Sequence, residues 1–468
     1  MHGKFGIALV KEKTKSEPVL FFRVRSKSKA LDYFESLGIK NEKLAISGDK
    51  KDSIYSYPQS HNFSFSFIGP YLFISEKQEI LKLIQSVYIK KESSLNEDKD
   101  YKKTISNLPK YAWGRGYLNI KSLNFNSQNP INQMIDPLKY IINHFGLSVR
   151  KQHNGFHFNS LLSINPQLLE LKKGYTDSSN FSYELASYIG SKNLAIYVGG
   201  SNLSDEWENT LKTISKLNPA YGVILEGVIR AQVSNVFGDQ VNLRNDIYPI
   251  FKDEYALVFE KLSTLSKKPD IENKGEITVE DHELGIKLIL KHSDEKFAKA
   301  KLNKLLAGFR LLAARLTPKL KVFKLTDGKE GKEFVASVKD LRESKEKYKN
   351  YEINCLDIAD SYYGFCYTVT DKLIVISNNQ SSIKETIDLG KNYNTSLKNH
   401  HSFKKSLSKL STFSDEITFV KFDSLNKLMS NAKLSFGIGS LFDSFESVAW
   451  VKQYFDDGVS TEGYLLLK

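Results

Sequence analysis

Arginine is scarce in this chain. Of its 67 basic residues nine are arginine and 58 are lysine, against 54 acidic residues, so the formal charge of +13 is carried almost wholly by lysine. Planar guanidinium forks are what fit phosphates and guanine edges, so this balance reads as general lysine usage and nucleic acid is not an expected partner. Long apolar runs are missing as well. No stretch reaches the ~18 to 20 residues that cross a bilayer, and the best candidate, Ala220 to Ile229, is interrupted by Glu226. Phe5 to Val10 is too short for the apolar core of a secretory signal, which needs about seven to fifteen residues. Catalytic signatures are absent too: there is no G-x-S-x-G elbow, no P-loop lysine and no dinucleotide glycine pattern. No catalytic, cofactor-binding or metal-ligating set is therefore assigned, and no cofactor is expected.

What is present is enough for large cores. Hydrophobic residues make up 41% and aromatic residues 12% of 468, which argues against disorder and for more than one domain. The chain also matches itself at a fixed displacement. Tyr71-Leu72-Phe73-Ile74-Ser75, Ser94-Leu95, Tyr101-Lys102-Lys103, Leu108 and Ser122-Leu123 recur 302 residues later. The answering residues are Leu373-Ile374-Val375-Ile376-Ser377, Ser396-Leu397, Phe403-Lys404-Lys405, Leu410 and Ser424-Leu425. Each copy predicts a hairpin and then an amphipathic helix: Phe63 to Phe67 alternating with serines as a half-buried strand, the returning strand Tyr71 to Ser75, and a helix with Ile80, Leu83, Ile84 and Val87 on one face. Asn154-Gly155 and Asp457-Gly458, 303 apart, are the dipeptides tight hairpin turns require.

The front of each copy matches more loosely. Phe5 to Val10 resembles Glu254 to Phe259, and the strand and helix at 19–37 resemble those at 286–316. Segment 184–253, with a strand at 194–198 and helices from Ser204 and over 219–237, has no counterpart before Phe5. The expectation is two units, 1–182 and 183–468, the first lacking its opening part. Any export signal or membrane anchor would then lie in that missing piece. The fold class expected is α+β: two tandem related units, each an antiparallel sheet with helices packed on one face.

The chemistry-bearing residues read mostly as structural. His153 and His157 flank the turn at Asn154-Gly155 and would share a metal only if both faced one side; Asp456 and Ser460, their equivalents, form no ligand set. His400-His401 reads as solvated. Gly199-Gly200 and Gly437-Ile438-Gly439-Ser440 read as turns or close packing, Asp456-Asp457 as a turn, Glu206 and Glu208 as a helix start, and Lys339 to Lys349 and Lys398 to Lys409 as solvated helical faces or linkers, with electrostatic attachment to an anionic surface as the alternative. The two cysteines invite more. If 351–358 pairs with 363–369 around Asp360-Ser361, Cys355 and Cys366 stand opposite each other, either as a cross-strand disulfide or as two free thiols filling space. At the same offset the first copy has Ser53 and Ser64.

The ordered series Asn193 to Gly200, Asp253 to Val258, Tyr362 to Val369 and Lys372 to Ser377 resembles a family of uncharacterised bacterial proteins, the domain of unknown function numbered thirty-three fifty-two. Its members typically carry an N-terminal membrane segment or export signal before a large extracytoplasmic part. The resemblance implies an envelope location and brings no activity or site residues with it. The function expected is a non-catalytic extracytoplasmic or membrane-associated binding or scaffold protein, with a protein, a lipid or a surface polymer as partner. The alternatives are a hydrolase with an unrecognised site and, behind it, a basic nucleic-acid binder.

Overall fold

The computed structural model describes residues 5–12, 15–36, 45–47, 53–57, 63–90, 95–122, 142–165, 182–217, 219–270, 275–316, 318–324, 330–336, 341–358, 364–390, 393–411, 414–431, 443–455 and 458–468. The chain divides into two compact units, Met1–Asn107 with Tyr117–Phe145, and Leu108–Gly116 with Gly146–Lys468.

The first unit contains β1 (Phe5–Glu12), β2 (Lys15–Arg23), α1 (Lys27–Ser36), β3 (Ala45–Ser47), β4 (Ile54–Tyr57), β5 (Phe63–Ile68), β6 (Tyr71–Ser75), α2 (Gln78–Lys90) and α3 (Lys99–Ser106). Its strands form one antiparallel sheet in the order β1-β2-β6-β5-β4-β3. Gly69, at φ 55°, makes the β5–β6 turn that a side chain would strain. β5 is covered on both faces, which corrects the half-buried reading of its Phe/Ser alternation. Phe65 is fully buried against Phe34 of α1, while Ser64 and Ser66 are buried beneath α2. Serine can face inward there because each hydroxyl is satisfied: Ser64 Oγ bonds Ser56 Oγ at 3.3 Å, and Ser66 Oγ donates to the Ser53 carbonyl and accepts from Gln85 Nε2 at 2.8 Å.

Next come β7 (Gly114–Asn119), β8 (Ile142–Gln152), β9 (Gly155–Ile164), β10 (Leu194–Ser201), α4 (Leu203–Leu217), α5 (Pro219–Phe237), β11 (Glu254–Asp270), β12 (Gly275–Lys291), α6 (Glu295–Leu316), β13 (Pro318–Lys324) and β14 (Glu330–Ala336). The chain ends with β15 (Leu341–Tyr348), β16 (Tyr351–Ile358), β17 (Gly364–Val369), β18 (Leu373–Ser377), α7 (Gln380–Leu389), α8 (His401–Leu407), β19 (Glu416–Lys421), α9 (Phe422–Asn431), β20 (Phe445–Phe455) and β21 (Gly458–Leu467). Apart from the separate pair β13–β14, these strands form one sheet in the order β15-β16-β17-β18-β12-β11-β10-β19-β20-β21-β9-β8-β7. Residues 341–348, expected as a helical face or linker, are thus a terminal strand. Pairing with β16 supplies the backbone partners that a solvated run would draw from water.

The side-chain alternation of the strands builds two apolar layers. One face carries Tyr197, Val258, Ile289, Cys355, Cys366, Val375, Phe419, Ala449 and Tyr464, covered by Ile383 and Ile387 of α7 and Phe403 of α8. The other carries Tyr255, Leu290, Leu356 and Ile374, covered by Ala298, Leu302 and Leu306 of α6. Each fully buried side chain of this size contributes about 1.5–3 kcal/mol.

The order β11-β12-β18-β17-β16-β15 repeats, strand for strand, the order β1-β2-β6-β5-β4-β3. Tyr101 and Tyr117 meet edge to face at 5.2 Å and 89°; Phe403 and Phe419, 302 residues later, meet at 5.2 Å and 90°. The β9–β21 pairing is centred on Asn159 opposite Glu462, residues 303 apart, and runs from Ser163–Gly458 to Gly155–Leu466. Exchanging either strand's residues for those 303 away reproduces the same pairs.

Candidate functional site

The registers place a continuous row of residues across the face beneath α7 and α8. Reading from β16 to β9 it runs Cys355, Cys366, Ser377, Lys287, Val258, Tyr197, Phe419, Ala449, Tyr464, His157. Both cysteines, Lys287 and His157 lie on that line. Strands from six separate stretches of chain supply it.

At one end Cys355 and Cys366 are directly opposed and joined in a disulfide. The loop between the two strands, with Asp360-Ser361, lies outside the described residues. In the first unit Ser64 is opposed by Ser56, not Ser53, so the disulfide position is matched there by a serine–serine hydrogen bond. The cause is loop length: between equivalent pairs the β16–β17 connection is three residues longer than the β4–β5 connection, which a constant offset of 302 does not register.

Two strands further along, Lys287 is completely buried. Its Nζ lies 3.4 Å from Glu260 Oε2 and 3.6 Å from Glu385 Oε2, and Glu260, itself buried, also accepts from the Ser382 hydroxyl. Burial pushes the Glu385 carboxyl above the usual carboxylate range, with the Lys287 charge pulling against it. Glu385 reaches water, being 39% exposed, whereas Lys287 does not. The arrangement is a closed ion cluster: Nζ sits at ion-pair distance from two carboxylates and is shielded from solvent, so no substrate reaches it from water. Sequence reading passed over it, although Lys287 in Gly285-Ile-Lys-Leu-Ile-Leu is a charge inside an apolar strand.

At the far end His157 is buried while His153 is exposed at the turn, so the two do not converge on a metal. Arg150 Nη2 lies 2.8 Å from His157 Nδ1, and His157 Nε2 lies 2.8 Å from Glu462 Oε1. A guanidinium can only donate, so Nδ1 accepts and the ring proton on Nε2 donates to Glu462. Burial raises the Glu462 carboxyl, but His157 and the Ser411 N–H overcome it and hold it below the usual range. The histidine is thus spent on the β9–β21 seam.

A second constellation, unforeseen in the sequence, sits in the first unit. Asp100 Oδ2 is 3.0 Å from His144 Nε2, and Tyr117 Oη is 2.9 Å from His144 Nδ1. Asp100 accepts from Nε2–H, so Nδ1 accepts the tyrosine proton. This is the layout of an acid–base relay ending on a phenol. Its electrostatics oppose that use: burial, then the charges of Asp98 and Asp100, push the Tyr117 hydroxyl up to about 12. The 302–303 equivalents are Ser402, Ser447 and Phe419, which could not act so. The signal is weak, because His144 shares its strand face with Ser148, Arg150 and Gln152 and does not stand out there.

The remaining candidates resolve individually. A Cβ on Gly199 would strike the Tyr197 hydroxyl and one on Gly200 would press on Tyr255, so the glycine pair serves close packing. His400 precedes α8, half-buried beside Ser402, and burial, then Lys421, lowers its proton affinity; His401 is exposed. Lys404 and Lys405 lie on the helix α8, which buries Phe403. Glu208 lies 4.0 Å from Lys212 on α4, at ion-pair distance. Gly437 to Ser440 and Asp456-Asp457 lie outside the described residues. Asp246 is buried between Lys301 and Lys304 of α6; burial raises its carboxyl, but Lys304, the Asn242 N–H and Lys301 bring it down to about 2. Among the described residues no three His, Cys, Asp or Glu side chains gather as metal ligands. No helix among them is long and apolar enough to cross a membrane.

Antiparallel sheets with helices packed on them define an α+β protein, and among the described residues the ionisable groups of the clusters above are turned onto one another. The family described as "Protein of unknown function (DUF3352)" matches residues 5–307, and the chain belongs to it. No significant match is found among curated proteins or among solved structures. The matched region takes in Asp100, His144, Tyr117, Glu260 and Lys287 and ends before the cysteines.

Proposed function

We propose that this protein is a non-catalytic binding or scaffold protein of the cell envelope, outside the cytoplasm, built from two copies of one α+β unit. The observation that carries the binding role is the surface of α5. Val223, Ile224 and Val228 are 72%, 60% and 51% exposed, and with the exposed Ala220, Gly227 and Ala231 they make an apolar stripe along one side. Water contact on such a stripe is costly, and a partner that covers it recovers that cost. The stripe has Arg230 as its one basic neighbour on the helix, fewer cations than an anionic lipid surface calls for, which favours a protein partner. The disulfide supports the compartment, since such bonds persist where thiols are not kept reduced. The shared strand order and the matched ring pairs support the two-copy reading.

A photo-crosslinking residue at position 224, introduced into the full chain in its native cell, tests this. A discrete adduct that disappears in Val223→Asp is expected; crosslinking no different from that of a residue at exposed position 212 would refute it. The second reading, an enzyme, rests on Asp100, His144 and Tyr117. It predicts a turnover abolished by Tyr117→Phe and His144→Ala alike.

A further inference from the structure

Helix α5 is apolar on nearly every side, Glu226 and Arg230 being its only charged residues. A helix of that kind is normally covered all round. α4 and α6 pack against it from one side, while Ala220, Val223, Ile224, Gly227, Val228 and Ala231 stay exposed on the other. Its two glycines divide the same way. A Cβ on Gly222 would strike the Ser215 side chain of α4, so that glycine serves packing inside the unit; among the described residues a Cβ on Gly227 would meet nothing within 4 Å. Glycine inside a helix lowers its stability relative to alanine, and no neighbour in the described unit accounts for Gly227. Backbone left bare in the middle of an apolar face suits a second helix brought close.

The face also complements itself. A two-fold axis through the midpoint between Gly227 and Val228, with the helices antiparallel, sets large residues level with small ones: Ile224 with the partner's Ala231, and Val228 with the partner's Gly227. At the rim Ala220 comes level with the partner's Asn235, which is polar and exposed. Charge follows the same symmetry. Glu226 and Arg230 lie together on one flank, 3.3 Å apart, and the axis brings Glu226 to within about 1.5 Å, along the helix, of the level of the partner's Arg230. Unlike charges thus stand side by side twice.

We propose that α5 is the surface by which this chain binds a second copy of itself, the two helices packed antiparallel with Gly227 of each at the crossing. This rests on the reading of α5 as a binding face and names what occupies it. Close approach of the backbones at Gly227 lets Ile224 and Val228 reach past one another into the partner's small residues, and the flanking charges fix the antiparallel direction.

The test uses the purified full chain. Sedimentation over a rising concentration series should show a monomer passing to a dimer, because one helix pair is a small contact that dissociates on dilution. Gly227→Leu fills open space and improves helix propensity, so the unfolding midpoint should not fall; the dimer should nevertheless weaken at least about tenfold, as with Val228→Asp. A photo-crosslinking residue at position 224 should join two copies through α5, near the partner's Ala231. A chain that stays monomeric up to about 0.3 mM, a dimer indifferent to both substitutions, or an adduct joined anywhere but the partner's α5 overturns the proposal. If the purified chain is monomeric while residue 224 crosslinks to a different protein in the cell, the second copy is refuted and the binding face stands; no adduct in either setting refutes both.

Discussion

Replacing Lys287 by methionine isolates the energetics of the interior ion cluster. Methionine fills a similar volume, so packing changes little, but Glu260 is left buried with its carboxylate unpaired except for Ser382. Breaking a buried pair from one side costs about 3–5 kcal/mol, because the stranded charge keeps its desolvation penalty. Glu385 adds little to that cost, since it reaches water. The corresponding positions in the first unit are Val19 for Lys287 and Val10 for Glu260, and Val19 is fully buried. An all-apolar version of this site is therefore compatible with the surrounding strands. The double variant Lys287→Met with Glu260→Val should recover most of the loss and end within about 1 kcal/mol of the parent. All three tryptophans, Trp113, Trp207 and Trp450, belong to the second unit, so urea unfolding followed by tryptophan fluorescence reports on that unit alone. A single variant that loses less than about 1 kcal/mol, or a double variant as unstable as the sum of its parts, would refute the reasoning.

Reducing the Cys355–Cys366 disulfide, which closes a separation of 11 residues, should cost about 3 kcal/mol by the loop-entropy relation, read as a lowered unfolding midpoint with dithiothreitol; an unchanged midpoint counts against it. Asp246 has a folded value near 2 against an ordinary 3.8, so its contribution is full above about pH 4 and is lost as pH falls toward 2. Asp246→Asn should therefore lower stability at neutral pH and flatten the acid limb between those values, and parallel acid limbs would contradict this. With the Tyr117 hydroxyl pushed up to about 12, ultraviolet difference titration of the parent against Tyr117→Phe should show no missing phenolate below about pH 11. A missing step near pH 10 would restore the relay as a reacting group.

Much of the fold could be read from residues alone. Pro219 to Phe237 is a helix with those very ends, Asn154-Gly155 turns β8 into β9, and Cys355 faces Cys366, because each depends on local chemistry or on counting across one loop. The row from Cys355 to His157 could not be read, because it is assembled by registers between strands far apart in the chain, Tyr464 and His157 at the extreme. Nor could the whole fate of His157: Arg150 reaches it across the local hairpin, but Glu462 follows from β9 lying beside β21, which no local pattern encodes. The charged run at 341–348 misled for a related reason. A terminal strand with charge on both faces has no apolar period, and only its pairing with β16 reveals it.

The seam between β9 and β21 also sets a timetable. β9 ends at Ile164 and its neighbour β21 ends at Leu467, so on the ribosome that edge waits while about 300 further residues are made. At roughly 5–20 residues per second that is about 15–60 seconds, far longer than a hairpin takes to form. Through that interval the edge of β9 that β21 covers in the finished sheet lacks its partner, and its safekeeping falls to whatever meets the nascent chain first.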